Sequence, residues 1–339
     1  MTRSKHAERL VRIIESFPKV TVTVVGDLVA DEFVYGEIAR VSREAPVLIL
    51  KHRERILLPG GGANAVYNLA ELGASVLPVG IVGDDESGRA LLQRFRQKKI
   101  PVSGIVKLKG YTTPTKTRIL AGHTHSSRQQ VVRVDREPEP RAFDAAQIAR
   151  YARECAKASD AVLISDYGYG AATPHILRAI QATRALDGIP VTLDSRHRMM
   201  EFSGVTAATP NEPEVEAALG IRIADQPEVL AAVGEQLMRR MKLESLVITR
   251  GRDGMTAFAR KHKPIHIPIY GSDQVADVTG AGDTVIATYT AALAAGADHE
   301  EAARLANFAG GIVVMKRGTA TVSAVELLAA VENDAAGWK

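Results

Sequence analysis

What most limits the architectures open to this chain is the order of its patterns, in which short β-branched runs alternate with segments of helical periodicity. Val20 to Gly26 is a β-branched run ending in Gly-Asp, as a buried strand would. Strand-like runs at 76–82, 161–165, 191–194, 205–209 and 245–249 are interleaved with helical patterns at 86–99, 173–186 and 212–219. A first helix over 5–16, strands over 255–259 and 262–269, a helix opening near Gly280 and a closing pair at 299–316 and 323–332 complete the expectation. Such alternation predicts a mostly parallel sheet with helices on both faces. In that architecture ligands bind at the carboxyl ends of the strands.

Two regions break the alternation. Residues 32–58 and 115–135 read as consecutive strands without intervening helices. They predict a small second sheet with one apolar face to hide, closing over a substrate pocket, pairing with another subunit, or both. Apolar strands such as Val47 to Leu50 point to a homodimer through these sheets. His123 and His125 share one face near a turn. With no Cys or carboxylate beside them, a polar hairpin tip is favoured over a metal site.

At 339 residues the chain can bury a sizeable core without staples. Its 43 Lys+Arg against 39 Asp+Glu leave a formal +4, too small and dispersed to imply a nucleic-acid or membrane partner. The single cysteine, Cys155, cannot form an intramolecular disulfide. The N-terminal residues lack the apolar core of a signal peptide, and no uninterrupted apolar run has the length needed to span a bilayer. The expected location is cytoplasmic.

Asp277-Val278-Thr279-Gly280-Ala281-Gly282-Asp283-Thr284 precedes an apolar run, Val285 to Ala287 and Ala291 to Leu293. Two glycines let backbone approach an anion closely, and the first amides of the buried helix would point at it. Asp283 stands where a hydroxyl would lose its proton, so one segment offers both a general base and an anion hole. A Gly-rich turn capped by Asp283 is the plainer alternative.

Pro59-Gly60-Gly61-Gly62-Ala63-Asn64 leads into a helix expected near Ala65. Its glycines permit close approach of a ligand, and Asn64 can donate to and accept from sugar hydroxyls. Asp27, just past the first strand, is placed to accept from a polyol or to cap the next turn. Asn211 and Glu214 begin a helix after a strand. Their oxygens suit either Mg²⁺ beside nucleotide phosphates or an ordinary helix cap, and taken alone the cap is favoured.

Together these segments resemble the ribokinase-like (PfkB) carbohydrate kinases, with Gly60 to Asn64 similar to the first signature, Asn211 to Glu214 to the N-x-x-E motif, and Asp277 to Asp283 to the second signature. The resemblance implies one domain over residues 1–339, a three-layer α/β/α fold with a mostly parallel central sheet and a small β-sheet lid. It also implies ATP as phosphoryl donor, Mg²⁺, Asp283 as base and the backbone of Gly280, Ala281 and Gly282 as anion hole. Arg250, Gly251, Gly254 and Asn307 would line the nucleotide site, and Asp277 and Thr279 would lie near a monovalent-cation (K⁺) site.

Within that family the chain is similar to the D-glycero-β-D-manno-heptose 7-phosphate kinases. The matching words include Val25-Gly-Asp27, Asp31, Tyr35-Gly36, Arg40, Ser42, Glu44 to Val47, Ser165-Asp166-Tyr167, Thr249-Arg250 and Gly318 to Ser323. This implies transfer of the ATP γ-phosphate to the anomeric hydroxyl of a heptose 7-phosphate, with Asp166 among the substrate-binding residues. The alternatives are a kinase of the same fold for another sugar, ketose phosphate or nucleoside, and a non-catalytic sensor that has kept the fold. A phosphorylated substrate needs cations distant from Asp283, and Lys116, Arg118, Arg133 and Arg196 are the candidates, with solvated lid charges an equal explanation for Lys116 and Arg118. Where these kinases read Asp-Pro-Lys-Gly, this chain has Asp194-Ser195-Arg196-His197, a planar guanidinium in place of an ammonium. The chain ends at Lys339, so the nucleotidyltransferase domain fused to some relatives is expected to be supplied separately.

Overall fold

A computed structural model describes residues 5–122, 129–139, 145–182, 188–224, 226–271 and 277–334. His123 and His125 lie outside the described residues. Helix α1 (Lys5–Ser16) buries Ala7, Leu10, Val11, Ile13 and Ile14, a stripe at helical spacing. It is followed by β1 (Thr21–Gly26), β2 (Leu28–Val41), β3 (Leu48–Gly61), α2 (Gly62–Glu71), β4 (Ser75–Gly83), α3 (Glu86–Gln97), β5 (Ile105–Leu108), β6 (Thr115–Gly122) and β7 (Gln129–Arg136). Then come α4 (Ala145–Ala156), β8 (Ala161–Asp166), α5 (Pro174–Gln181), β9 (Val191–Ser195), β10 (Ala207–Ala208), α6 (Glu212–Leu219) and α7 (Pro227–Met241). The chain closes with β11 (Ser245–Thr249), β12 (Met255–Ala259), β13 (Ile265–Ile267), α8 (Ala281–Ala294), α9 (His299–Val314) and α10 (Ala324–Asp334).

The central sheet has the order β13-β12-β11-β10-β9-β8-β1-β4-β5. It is parallel from β5 to β11, and β12 and β13 are antiparallel additions at one edge. Side chains of one strand alternate between two apolar clusters, Val22 and Val24 facing one and Val25 the other, Leu163 the first and Ile164 the second. The first cluster is closed by α1, α2, α3, α8, α9 and α10, the second by α4 to α7. This is the three-layer arrangement that the pattern predicts.

The second sheet, in the order β3-β2-β6-β7, pairs β2 with β3 and β6 with β7 antiparallel and β2 with β6 parallel. It coincides with the regions expected to form a lid. Its long strands run straight into the site: β2 leaves β1 at Asp27, and β3 ends at Gly61 where α2 begins.

Helices α4 and α7 and strand β5 are absent from the sequence-based expectation. Helix α4 turns only Ile148 and three alanines to the core, too narrow a stripe to stand out. Helix α7 carries Gly234 on its buried side because the ring of Phe258 occupies the space, a Cβ there meeting it at 2.2 Å. The expected strand 205–209 shrinks to Ala207–Ala208, and α2 starts at Gly62 rather than near Ala65.

Candidate active site

Gly280 caps α8 with φ of 79°, a left-handed conformation in which a Cβ would sit 2.5 Å from Asn64 Nδ2. That turn aims the first amides of α8 outward. Ala281 N–H donates to Val278 O at 3.2 Å, and among the described residues no acceptor takes the amides of Gly282 or Asp283. Gly282 has open space where a side chain would stand. The result is a pair of unsatisfied donors at the positive end of a long helix, the arrangement an anion requires.

Asp283, 3% exposed, hangs from the first turn of α8. Its Oδ1 accepts the Tyr167 hydroxyl at 2.7 Å and its Oδ2 accepts Asn64 Nδ2 at 3.0 Å. Asn64 is itself held by α2, its backbone and side-chain oxygens both accepting from Asn68 Nδ2 at 3.0 Å. Burial pushes Asp283 up to about 7, against the pull of the Asn64 and Tyr167 hydrogen bonds and with Asp31 adding to the rise. A carboxylate near neutrality is matched to taking a proton from an alcohol at working pH.

Asp27, expected either to accept from a polyol or to cap the next turn, accepts backbone amides of a loop. At 1% exposure it accepts the amides of Tyr167 and Tyr169 on Oδ2, both at 2.9 Å, and of Ala171 on Oδ1 at 2.8 Å. It therefore clamps the loop after β8, the loop that carries Tyr167. Burial pushes it up to about 6, the three amides opposing. Asp166 is likewise spent on structure: its oxygens accept Ser195 Oγ at 2.8 Å, the Gly168 amide at 3.1 Å and the Arg198 guanidinium.

On the lid, β2 and β6 bring Asp31 opposite Lys116 and Phe33 opposite Arg118. Lys116 and Arg118 share a face as expected, and both are tied to carboxylates: Lys116 to Asp135 at 3.2 Å, Arg118 to Asp31 at 2.5 Å. Arg118 also lies 5.4 Å over the Phe33 ring. Asp31 Oδ2 accepts Thr319 Oγ1 at 2.8 Å and would collide with a Cβ at Gly60, which explains that glycine. Gly61, at φ 53°, lies against Val29, Tyr167 and the Asp27 carbonyl. Arg133 is exposed and paired with Asp135 on its own strand.

On the nucleotide side, Asn211 and Glu214 form a reciprocal capping box at the start of α6, at 2.8 and 2.9 Å. Burial raises Glu214, with Arg196 and His197 opposing. Asp194, at the end of β9, is held well above the usual carboxylate range by burial and by its neighbours Glu214 and Asp283. No cluster of three or more His, Cys, Asp or Glu among the described residues could hold a metal unaided. The mutually repelling Asp194 and Glu214 fit a hard cation carried in with phosphates and water, the usual manner of Mg²⁺. Asp277 accepts the amides of Thr279 at 2.9 Å and Gly318 at 3.0 Å. This clamps the glycine turn to the loop before α10.

Arg250 pairs with Glu212 at 2.6 Å, and Gly254, at φ 76°, lies so close to Ile267 O that a Cβ would stand 2.2 Å from it. Gly251 is left-handed and open. Asn307 donates to Pro268 O at 2.9 Å and lines a cavity of about 440 Å³ with Tyr270 and Phe308. Arg250 lines a second, of about 510 Å³, across Pro268 and Ile269.

Sequence reasoning did not single out Tyr167, Arg198 or Asp194 as chemical groups, nor Asp31 beyond its place in a matching word. Their roles arise from partners over a hundred residues away or from a neighbouring strand, which no local pattern displays.

A helix start with free amides, a buried near-neutral carboxylate and a lid sheet above them define a phosphotransferase acting on an alcohol group. The chain belongs to the pfkB family of carbohydrate kinases, whose family model matches residues 22–326. It is 41% identical over 313 residues to the bifunctional protein HldE of Pelobacter propionicus, and 41% identical over 312 residues to that of Geobacter sulfurreducens. Each match covers 91% of this chain and 62% of the relative, so the chain spans less than two thirds of their length. In fold it is similar to Arabidopsis thaliana ribokinase complexed with ribose and ATP, with a TM-score of 0.70 and 21% identity over 92% of this chain and 99% of that one. Escherichia coli phosphofructokinase-2 with substrates and products gives 0.73 and 18%, over 93% and 99%. Among the described residues no helix is long and apolar enough to cross a membrane.

Proposed function

We propose that this chain transfers the γ-phosphate of ATP to the anomeric hydroxyl of D-glycero-β-D-manno-heptose 7-phosphate, giving the 1,7-bisphosphate. The observation that carries the reading is Asp283, buried, held near neutrality and fixed by Tyr167 and Asn64 beside the free amides of α8. Asp283 takes the hydroxyl proton as the new O–P bond forms, and the amides of Gly282 and Asp283 neutralise charge on the migrating group. Asn211, Glu214 and Asp194 are the residues that would hold Mg²⁺ through water, and the ion would offset phosphate charge.

The heptose 7-phosphate is supported by the lid words shared with that group of kinases, by the identity to the HldE proteins, and by the lid cations Lys116 and Arg118, with Arg133 opposite Arg118 on the neighbouring strand. The reading carries a cytoplasmic location, where ATP is supplied. The lid also exposes Val41, Val47, Leu48, Val131, Val132 and Val134, an apolar surface suited to a second copy of the chain. Sedimentation at micromolar concentration is expected to give a dimer, and a monomer there removes that part.

A panel of sugars and sugar phosphates with ATP and Mg²⁺ tests the function, product phosphate position being assigned by NMR. Preferential turnover of the heptose 7-phosphate at its anomeric oxygen is expected. Preference for an unphosphorylated sugar, a ketose phosphate or a nucleoside replaces the substrate, and ligand binding without ADP release replaces the activity.

A further inference from the structure

The two arginines that follow β9 are used differently. Arg198 spends its guanidinium on the buried Asp166. Arg196, exposed to solvent, makes no hydrogen bond to a carboxylate among the described residues. Its guanidinium lies instead over Tyr167, 4.9 Å from the ring centre, and the hydroxyl of that same ring is bonded to Asp283. Asp283, Glu214 and Asp194 all lie within electrostatic reach of it. Its main-chain amide is pinned to Asp166 O at 3.1 Å, so the side chain is launched from a fixed point at the strand end.

This placement conflicts with a role for Arg196 on the distal phosphate of the sugar, which requires a cation remote from the base. The cations with carboxylate partners, Lys116 and Arg118, are on the lid and suit that role. Arg196 lies over the ring whose hydroxyl holds the base, and it interacts electrostatically both with Asp283 and with the Asp194 and Glu214 carboxyls of the nucleotide side. A γ-phosphoryl group moving to a hydroxyl activated by Asp283 must pass from the nucleotide side to the base, and Arg196 interacts with carboxyls of both.

We propose that Arg196 is a catalytic residue that clamps the phosphoryl group in transit, with Tyr167 as the platform that holds both Arg196 and Asp283 in register. The inference rests on the kinase reading above. In the step, the sugar oxygen forms its bond to γ-phosphorus, the bond from γ-phosphorus to the β–γ bridging oxygen breaks, and the electron pair leaves with ADP. The proton of the hydroxyl passes to Asp283. Throughout, the guanidinium fork faces the equatorial phosphoryl oxygens, whose charge is most accessible when the group is between its two partners.

The test compares R196A and R196K with the unaltered enzyme, using ATP and its best sugar phosphate. R196A is expected to lower kcat by about a hundredfold or more, with KM for both substrates within about threefold, since cis or trans arginines in such reactions are worth still larger factors. R196K, which keeps charge but not the fork, should retain more activity than R196A and remain at least about tenfold below the unaltered enzyme. Added guanidinium should partly restore R196A and leave R196K unchanged. Binding of ADP with aluminium fluoride and sugar phosphate should weaken in R196A by a factor comparable to the kcat loss, while a non-hydrolysable ATP analogue binds as before. A tenfold or greater rise in KM for the sugar phosphate at near-normal kcat would assign Arg196 to the substrate's own phosphate and overturn the proposal alone. An unaltered enzyme that turns over no sugar at all removes the kinase reading and the proposal with it.

Discussion

Tyr167 donates its hydroxyl to Oδ1 of Asp283 at 2.7 Å, so the base is oriented by a loop that is itself held by the buried Asp27. The hydrogen bond favours the charged carboxylate and opposes the rise caused by burial. A base must be deprotonated to act, so activity is lost as pH falls through its pKa, placing the acid limb of kcat/KM near 7. Tyr167→Phe removes one hydrogen bond to a charged group, worth roughly 1.5 kcal/mol, and should move that limb upward by about one pH unit. The same variant should lose the stacking partner's polar anchor without losing its ring. A pH profile with the limb unmoved or shifted downward contradicts this role for Tyr167.

Gly280 and Gly282 are two positions apart and should differ in what alanine does to stability. Gly280→Ala places a Cβ 2.5 Å from Asn64 Nδ2 in a left-handed backbone, so both strain and displacement of Asn64 follow. A loss of about 2 kcal/mol in denaturant unfolding is expected, together with lost turnover. Gly282→Ala meets nothing within 4 Å and has no unusual backbone demand. Its stability should stay within about 0.5 kcal/mol while KM for ATP rises or kcat falls, because the added methyl enters ligand space. Equal stability losses in the two variants would count against the anion-hole assignment.

Half-buried Arg198 and buried Asp166 form an ion pair at the end of β9. Asp166 is 1% exposed, so Arg198→Ala leaves a carboxylate desolvated with only Ser195 and the Gly168 amide as partners. Urea unfolding should report a loss of about 3 kcal/mol. Arg196→Ala, two residues earlier and exposed, should unfold within about 0.5 kcal/mol of the unaltered protein. Matching losses at both positions would show that the two arginines share one structural task.

Much of the fold is legible in the sequence because period and punctuation agree. The run Ser245–Thr249, the segment Met255–Ala259 and the helix Glu212–Leu219 appear with the expected bounds, and the lid strands fall where helical periodicity is missing. Helix α7 is hidden by Gly234, whose reason is the ring of Phe258 on another strand. In the site, the glycines and Asp283 announce themselves through local backbone demands. Asp27 does not, since a carboxylate after a strand looks the same whether it meets a sugar or three amides from a loop 140 to 144 residues later. Asn211 and Glu214 show the opposite difficulty, because the capping box is a complete local explanation that leaves the nearby Asp194 carboxyl out of view. Arg196 is visible as a departure from the related kinases, but only its position on Tyr167 shows that it stands beside the base.

The central claim is that Asp283 removes the proton from the acceptor hydroxyl, and Asp283→Asn addresses it with the least change of shape. Turnover with ATP and the preferred sugar phosphate is expected to fall by about a thousandfold or more, while ATP binding and the melting temperature stay close to those of the unaltered protein. Turnover within a few-fold of normal would show that the proton leaves by another route and that the buried carboxylate serves only the packing of α2 against α8.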